Sequence, residues 1–156
     1  MSQSLSQLYM HIIFHVNLVD KVSIPEALQP HLHAYLAKIC DNQDSSSLIV
    51  GGIHDHVHLL CRMSKNITSA KLLEELKTHS SKWIKRQSSE FGMMLSKFTW
   101  QKGYGIFSVS ASQVDNVKEY ILNQKEHHRK RSFKEEYILL LEKYNVKYHE
   151  KYLWSQ

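Results

Sequence analysis

Histidines occupy alternate positions in the segment HDHVHLL, residues 54–60. Alternate side chains of a β-strand point to the same face, so His56 and His58 would project together from a strand here. Imidazole nitrogens are common metal ligands, and two of them on one rigid face can share a divalent cation. His54 lies on the same face, which leaves HDH and HVH as competing pairs. Because the apolar Val57 fits a strand whose other face is buried, we favour His56 and His58.

A tyrosine and a glutamine are four residues apart in the segment EYILNQKEHHRKR, which begins at Glu119. On a helix this spacing places Tyr120 and Gln124 on one face, with their Cβ atoms about 5–6 Å apart. A phenol, whose ordinary pKa is about 10, is a poor nucleophile at neutral pH. A divalent ion held by His56, His58 and the Gln124 oxygen could polarise a phosphodiester and stabilise the developing charge. The combination predicts phosphodiester transesterification with Tyr120 as the nucleophile.

The chemical types of the candidate ligands limit which metal ion can bind. Two imidazoles and an amide oxygen, with no thiolate, favour Mg²⁺ or Mn²⁺ and are also compatible with zinc. Tyr137 and Tyr144 are competing candidates for the nucleophile, although neither has comparable neighbours in the sequence. Cys40 and Cys61 form no C-x-x-C pair, so we expect two reduced thiols rather than a disulfide or a cysteine zinc site.

The charge of the chain favours an anionic partner such as nucleic acid. The formal net charge is +5, and the pI is near 9.1. Basic residues gather on one face of a predicted helix and in the segment HHRKR, residues 127–131. The candidate contacts to nucleic-acid phosphates are Lys71, Lys82, Lys85, Arg86, His127, His128, Arg129, Lys130 and Arg131.

Strands and helices alternate in the segments that must position these side chains. A β-rich apolar stretch predicts a first strand from about residue 8, and Ser23 with Glu26 forms a capping-box pattern ahead of a helix. The stretch SSLIVGGIHDHVHLLCRM predicts a hairpin that carries the histidines, with the glycines at 51–52 between or within its strands. An amphipathic helix is predicted over about 68–87.

The rest of the chain continues this pattern. FTWQKGYGIFSVSAS predicts another strand or a broken pair, Ser112 and Asp115 can cap the following helix, and Ser132 with Glu135 forms a second capping-box pattern. The order β-α-β-β-α-β-α predicts an α+β domain like that of ferredoxins and RNA-recognition motifs, with helices packed on an antiparallel sheet. Since no linker divides the chain, we expect one domain over 1–156.

Three blocks of the sequence resemble those of a known family. GGIHDHVHLL, WQKGYGIFSVS and YILNQKEHHRKRSFKEEY, in this order and spacing, closely resemble the small single-tyrosine transposases of the bacterial insertion-sequence 200 type, which are histidine-hydrophobe-histidine (HUH) endonucleases. The resemblance extends over about residues 8–154. It implies that His56, His58 and Gln124 bind the metal, and that Tyr120 becomes joined to a DNA 5′-phosphate.

The resemblance also implies partners and assembly. Members of the family act as homodimers on single-stranded DNA, recognise hairpins near the ends of their element, and need no small-molecule cofactor. In such a dimer, Tyr120 and Gln124 of one subunit could complete the metal site of the other. The alternatives are a host-retained relative that cuts hairpins of repetitive extragenic elements, and a non-catalytic domain that binds single strands. Since the sequence has neither a leader-like start nor a membrane-spanning run, we expect a cytoplasmic protein.

Overall fold

A four-stranded sheet forms the centre of the computed structural model, which describes residues 2–155. The strands are β1 (Tyr9–His15), β2 (Ser46–Gly52), β3 (His56–Arg62) and β4 (Gly105–Val109). Their spatial order is β2-β3-β1-β4, and each neighbouring pair is antiparallel. This sheet, with helices in the connections between strands, confirms the predicted ferredoxin-like α+β fold.

Helices connect the strands and follow the last one. Within the described residues they are α1 (Gln29–Asn42), α2 (Ser69–Arg86), α3 (Ser88–Phe91), α4 (Val114–Leu122), α5 (Gln124–His127), α6 (Phe133–Lys143) and α7 (Glu150–Leu153). Short 3₁₀ turns cover Glu26–Leu28, Met93–Lys97 and Ala111–Gln113. In this part of the chain, no helix is both long enough and apolar enough to cross a membrane.

The two faces of the sheet differ because side chains alternate along each strand. Phe14 of β1 and Val57 and Leu59 of β3 point into the main apolar core, which α1 and α2 cover. His56 and His58 lie on the opposite face, where α5 and α6 supply their contacts. The predicted division of β3 into an apolar face and a histidine face is therefore correct.

Of the two serines predicted to open a capping box, one begins a helix. Ser132 begins α6, because its hydroxyl oxygen accepts a hydrogen bond of 3.3 Å from the Glu135 backbone N–H. The box that Ser23 was predicted to open is wrong, since α1 begins at Gln29. A helix starting at Ser23 would contain Pro30 in its interior, where the ring clashes with a carbonyl and the N–H is missing. The observed start places Pro30 in the first turn, where no N–H is needed.

The helix that carries Tyr120 also begins differently from the prediction. α4 starts at Val114, directly after a 3₁₀ turn, and no side chain caps it. Ser112 lies inside that turn, and its hydroxyl is 3.2 Å from another serine hydroxyl rather than bonded to the helix. Asp115 lies in the first turn of α4 and not at the cap position. In the first turn its negative charge interacts favourably with the helix dipole.

Candidate metal centre and nucleophile

His56 and His58 lie side by side on β3. Both side chains are fully buried, and their ring centroids are 5.0 Å apart. His54 does not join them, because its side chain is 57% exposed in the turn before β3. The structure therefore brings the HVH pair together and leaves the competing HDH pair divided between the surface and the interior.

Each imidazole of the pair has a partner on its Nδ1 atom. Asp55 Oδ1 lies 2.7 Å from His56 Nδ1, and Nε2 of His11, on the neighbouring strand β1, lies 2.8 Å from His58 Nδ1. Both Nε2 atoms contact residues of the C-terminal helices instead. Outer partners of this kind orient metal-binding histidines and fix which ring nitrogen is free to bind the ion.

The two histidines differ in charge. Burial lowers the pKa of His56, but hydrogen bonds with Asp55 and Glu136 outweigh burial and raise this pKa to about 9. Burial lowers the pKa of His58 to about 4, because the contact with Glu136 offsets only part of the effect and the nearby His56 charge lowers the pKa further. At neutral pH the pair therefore carries one positive charge, and a divalent cation would replace that proton.

A carboxylate that was not predicted from the sequence completes the group. Glu136 of α6 is 3% exposed, and its Oε1 atom lies 2.9 Å from His58 Nε2 and 3.3 Å from His56 Nε2. One donor atom from each of these three residues lies within 4.8 Å of the others, so they can hold a single metal ion. Burial raises the pKa of Glu136, but hydrogen bonds with His128, His56 and His58 outweigh it and leave the carboxyl ionised, with its pKa well below the usual range.

The sequence contains a signal that could have identified Glu136. Phe133, Tyr137 and Leu140 form an apolar stripe at helical spacing along α6, and all three are buried in one cluster. Glu136 lies on the same stripe. Since carboxylates are almost never fully buried without a partner, a glutamate inside an apolar stripe indicates a buried partner.

Gln124 reaches the histidines from α5. It is 2% exposed; its Oε1 atom is 2.9 Å from His56 Nε2, and its Nε2 donates to Glu136 Oε2 at 3.3 Å. The prediction of one continuous helix through Tyr120 and Gln124 is wrong, because Asn123 separates α4 from α5. The break still leaves both side chains within hydrogen-bond distance of Glu136 Oε2, so they reach the same site.

Tyr120 is held beside the same carboxylate. Its hydroxyl donates a 2.5 Å hydrogen bond to Glu136 Oε2, the oxygen that does not face the histidines. Its ring lies 5.8 Å from the His58 ring and stacks on His127 at 4.6 Å. Burial and the contact with Glu136 raise the pKa of Tyr120 above its ordinary value. The phenol is therefore protonated and needs activation before it can attack a phosphate.

These contacts form within one chain. Tyr120 and Gln124 reach the site built on their own β3, through Glu136 and His56 respectively. A single subunit can thus assemble the whole group of side chains, and exchange of the tyrosine helix between subunits stays a prediction.

A glycine on β2 allows α4 to lie close to the sheet. A Cβ atom at Gly51 would be 2.6 Å from the backbone oxygen of Ile121, which no substituted side chain could accommodate without movement. Ile121 adjoins Tyr120, so this close approach fixes the height of the tyrosine above β3. The glycines at 51–52 lie within β2, and the hairpin turn comprises residues 53–55.

The basic segment 127–131 divides between the site and the surface. His128 packs against Glu136, with 3.2 Å between its Nε2 atom and Oε2, and its ring is 4.6 Å from that of His56. It therefore belongs to the candidate site rather than to the predicted DNA-facing surface. Arg129 is exposed and forms a 3.3 Å ion pair with a glutamate one turn earlier.

A cavity of about 250 Å³ lies between Tyr120 and the basic segment. Its lining includes Tyr120 and Glu136 together with the cationic or ionisable side chains of His127, Lys130 and Arg131. Lys130 and Arg131 are exposed. Their charges therefore lie beside the tyrosine.

The basic residues of α2 lie elsewhere. Lys82, Lys85 and Arg86 are exposed on a helix that packs against the apolar face of the sheet, so the sheet separates them from the histidine pair. Lys71 is engaged on its own helix, with its Nζ atom 3.0 Å from Glu75. The structure does not bring these four residues to the candidate site.

The donor set fits a divalent cation. The imidazoles of His56 and His58 and the carboxylate of Glu136 can share one ion, the Gln124 amide oxygen lies 2.9 Å from His56 Nε2, and all four residues are buried. Mixed nitrogen and oxygen donors of this kind are compatible with Mg²⁺, Mn²⁺ and Zn²⁺.

Comparison with known proteins assigns the family. The profile of the family described as transposase IS200 like matches residues 4–124. The chain belongs to the IS200-like transposase family. The matched region contains His56, His58, Tyr120 and Gln124, whereas Glu136 lies beyond its end.

Solved structures share the fold of this IS200-like transposase. A protein of Deinococcus radiodurans R1 described as a candidate transposase superimposes with a TM-score of 0.57 at 21% identity, covering 80% of this chain and 98% of that one. A REP-associated tyrosine transposase bound to a REP hairpin gives a TM-score of 0.56 at 11% identity, covering 82% of this chain and 74% of that one. No curated protein matches the chain.

Proposed function

We propose that this IS200-like transposase cleaves and rejoins single-stranded DNA through a covalent 5′-phosphotyrosine at Tyr120. The observation that carries the proposal is the meeting of three groups on one carboxylate. His56 and His58 contact one oxygen of Glu136, and the Tyr120 hydroxyl contacts the other. A nucleophile next to a set of metal donors is the arrangement that phosphodiester transesterification requires.

The reaction replaces one phosphodiester with another. The Tyr120 oxygen forms a bond to phosphorus while the bond from phosphorus to the departing 3′-oxygen breaks, and the phenol proton is balanced by the proton that the 3′-hydroxyl gains. Attack by a new 3′-hydroxyl on the phosphotyrosine reverses these changes and joins the strands. A bound divalent ion would polarise the phosphate and offset its developing charge.

The residues of the chain orient the groups around that phosphate. His56, His58 and Gln124 present their donor atoms from β3 and α5, and Glu136 adds a carboxylate from α6. The stacked His127 ring holds the plane of Tyr120. We propose Mg²⁺ or Mn²⁺ as the ion. The two imidazoles and the amide oxygen, with no thiolate, already favour these ions, and the carboxylate of Glu136 adds a hard oxygen donor.

DNA with hairpins is the proposed substrate. Lys130 and Arg131 line the cavity next to Tyr120, and their positive charges suit a phosphate backbone. The similar REP-associated tyrosine transposase is bound to a REP hairpin, which supports a hairpin ligand for this chain also. We propose a homodimer as the working assembly, in which the α2 face with Lys82, Lys85 and Arg86 could bind DNA beyond the site.

A covalent adduct tests the proposal. The protein is incubated with labelled single-stranded DNA from the flanks of its gene and Mn²⁺, and adducts are separated on a denaturing gel. We expect an adduct that chelation of the metal and Tyr120→Phe both abolish, while DNA binding changes little because only one oxygen is removed. Tyr144→Phe is the matched control, since Tyr144 is also partly buried and its ring stacks on Phe107, 6.4 Å from the ring of His11.

Two other functions would give different results. A host-retained relative that processes repetitive extragenic hairpins is favoured by the REP-associated structural neighbour, and it would form adducts with such hairpins but not with the ends of its own gene. A non-catalytic DNA-binding domain would bind single strands and form no adduct under any metal condition.

A further inference from the structure

The two oxygens of Glu136 face different parts of the site. Oε1 lies 2.9 Å from His58 Nε2 and 3.3 Å from His56 Nε2. Oε2 accepts the Tyr120 hydroxyl at 2.5 Å and the Gln124 amide at 3.3 Å. One carboxylate thus separates the metal-binding histidines from the nucleophile and contacts both.

Packing of α6 does not account for this carboxylate. The helix is held to the sheet by an apolar cluster that includes Ile13, Phe107, Phe133 and Leu140. A buried carboxylate is costly unless its charge is paired, and an apolar residue at the same place is commonly neutral or stabilising. Every contact that compensates the charge of Glu136 comes from residues of the candidate site.

We propose that Glu136 joins the metal centre to the nucleophile, with Oε1 as a metal ligand and Oε2 as the acceptor that holds the Tyr120 hydroxyl toward the metal-bound phosphate. This inference rests on the proposed transesterification and extends it to α6. The family profile ends at residue 124, so the functional unit of this chain would include a C-terminal helix that the matched region does not contain.

The proposal makes the position of Tyr120 depend on Glu136. The tyrosine is attached to the sheet through α4, and its hydroxyl has a single proton to donate, which Glu136 Oε2 accepts. Removal of the carboxylate would leave the Tyr120 hydroxyl without this acceptor, and misplacement of a reacting group by about 1 Å can reduce a rate about 100-fold.

Variants at two adjacent glutamates test the proposal. Glu136→Gln preserves shape and removes the charge, Glu136→Ala removes both, and Glu135→Gln is the matched control because Glu135 is exposed on the same helix turn. For Glu136→Gln we expect Mn²⁺ affinity, measured by calorimetry, to fall about 10- to 100-fold or more, since loss of an outer partner at a metal site typically has an effect of about 10- to 100-fold. At saturating Mn²⁺ and DNA, we expect the rate of adduct formation to fall by about 10- to 100-fold, with DNA affinity unchanged within about threefold.

A measurement without DNA separates this proposal from the proposed function. The ¹³Cζ chemical shift of Tyr120, assigned by its disappearance in Tyr120→Phe, reports the hydrogen bond of the phenol oxygen. We expect this shift to change in Glu136→Gln and Glu136→Ala and to stay the same in Glu135→Gln. If the wild-type protein forms no adduct, the proposed function fails, while the shift and the metal affinity still decide whether Glu136 links the two groups.

Three results would overturn the inference. Unchanged Mn²⁺ affinity in a folded Glu136→Gln protein would remove the metal role of Oε1. A wild-type rate at saturating metal would show that Tyr120 needs no acceptor. A faster rate in Glu136→Ala would show instead that the carboxylate restrains the nucleophile in an inactive position. Glu136→Gln is isosteric, so it keeps the test available if Glu136→Ala does not fold.

Discussion

His11 should control the metal affinity of His58 without touching the ion. Its Nε2 atom lies 2.8 Å from His58 Nδ1, and its side chain is 1% exposed on β1. For His58 Nε2 to bind a metal, the ring proton must be on Nδ1, where the lone pair of His11 Nε2 accepts it. Burial and the neighbouring His58 lower the pKa of His11, so the ring is neutral at physiological pH and can present a lone pair on Nε2.

The size of the effect follows from the burial of this contact. Replacing His11 by leucine would leave the His58 Nδ1–H group without an acceptor in an interior that water does not reach. An unsatisfied buried donor costs about 1–3 kcal/mol. Since about 1.4 kcal/mol corresponds to a tenfold change in affinity, His11→Leu should weaken metal binding about 5- to 140-fold. His11→Gln should weaken it much less, because the glutamine oxygen can occupy the position of Nε2 as an acceptor.

Calorimetric titration with Mn²⁺ measures this difference directly. His33→Leu is the control, since His33 is a partly buried histidine on α1 outside the site. With Zn²⁺, which is diamagnetic, ¹⁵N shifts of His58 should show the proton on Nδ1 in the wild type. Equal affinities for folded His11→Leu and wild-type protein would refute this role of His11, as would a His58 that keeps its proton on Nε2 when the protein is saturated with Zn²⁺.

Three further results are expected. His58→Ala should weaken Mn²⁺ binding far more than His54→Ala, because only His58 is buried beside the carboxylate; an equal effect in calorimetry would return His54 to the site. Neutralising the three cations at 129–131 should weaken binding to all single strands alike and reduce the salt slope by about 0.7 for each phosphate that the protein no longer neutralises, whereas an effect confined to one hairpin would indicate sequence reading. Burial lowers the pKa of His33 to about 4, below the value of about 6.5 expected in the unfolded chain, so the unfolded state binds more protons and stability should fall as the pH decreases from about 6.5 to 4. His33→Gln should reduce this loss of unfolding free energy by about 1–2 kcal/mol at pH 5, measured in urea titrations. An unchanged pH dependence of stability would contradict the lowered pKa of His33.

The sequence predicted the parts of the site that depend on local periodicity. Strand alternation brought His56 and His58 to one face, and Val57 between them correctly indicated a buried opposite face. Helical spacing brought Tyr120 and Gln124 near each other, although the helix is interrupted between them. The order of elements also predicted the antiparallel sheet, because each connection followed from a clear change of period.

The parts that were missed depend on contacts between distant segments. Glu136 approaches His58 across 78 positions of sequence, and His11 across 47. No local pattern specifies which strand lies beside β3 or which helix covers it, so these partners become visible only after folding. The helix is interrupted at Asn123 without a proline or glycine, so local propensity did not predict this break either.

The assembly of the active unit can be tested by mixing inactive proteins. Tyr120→Phe protein lacks the proposed nucleophile, and the double variant His56→Ala/His58→Ala lacks the proposed imidazole ligands. If each chain builds its own site, as the contacts within one chain indicate, no mixed dimer regains cleavage. Recovery of about a quarter to a half of the sites after subunit exchange would show instead that Tyr120 acts in the partner subunit.

The most direct test of the proposed chemistry is to locate the covalent bond by mass spectrometry. Wild-type protein is allowed to react with single-stranded DNA and Mn²⁺, the DNA is trimmed by nuclease, and the tryptic peptides are sequenced. We expect a nucleotide attached through its 5′-phosphate to the Tyr120 oxygen, dependent on the metal. A nucleotide on Tyr137 or Tyr144, or attachment through a 3′-phosphate, would contradict the assignment of Tyr120 as the nucleophile.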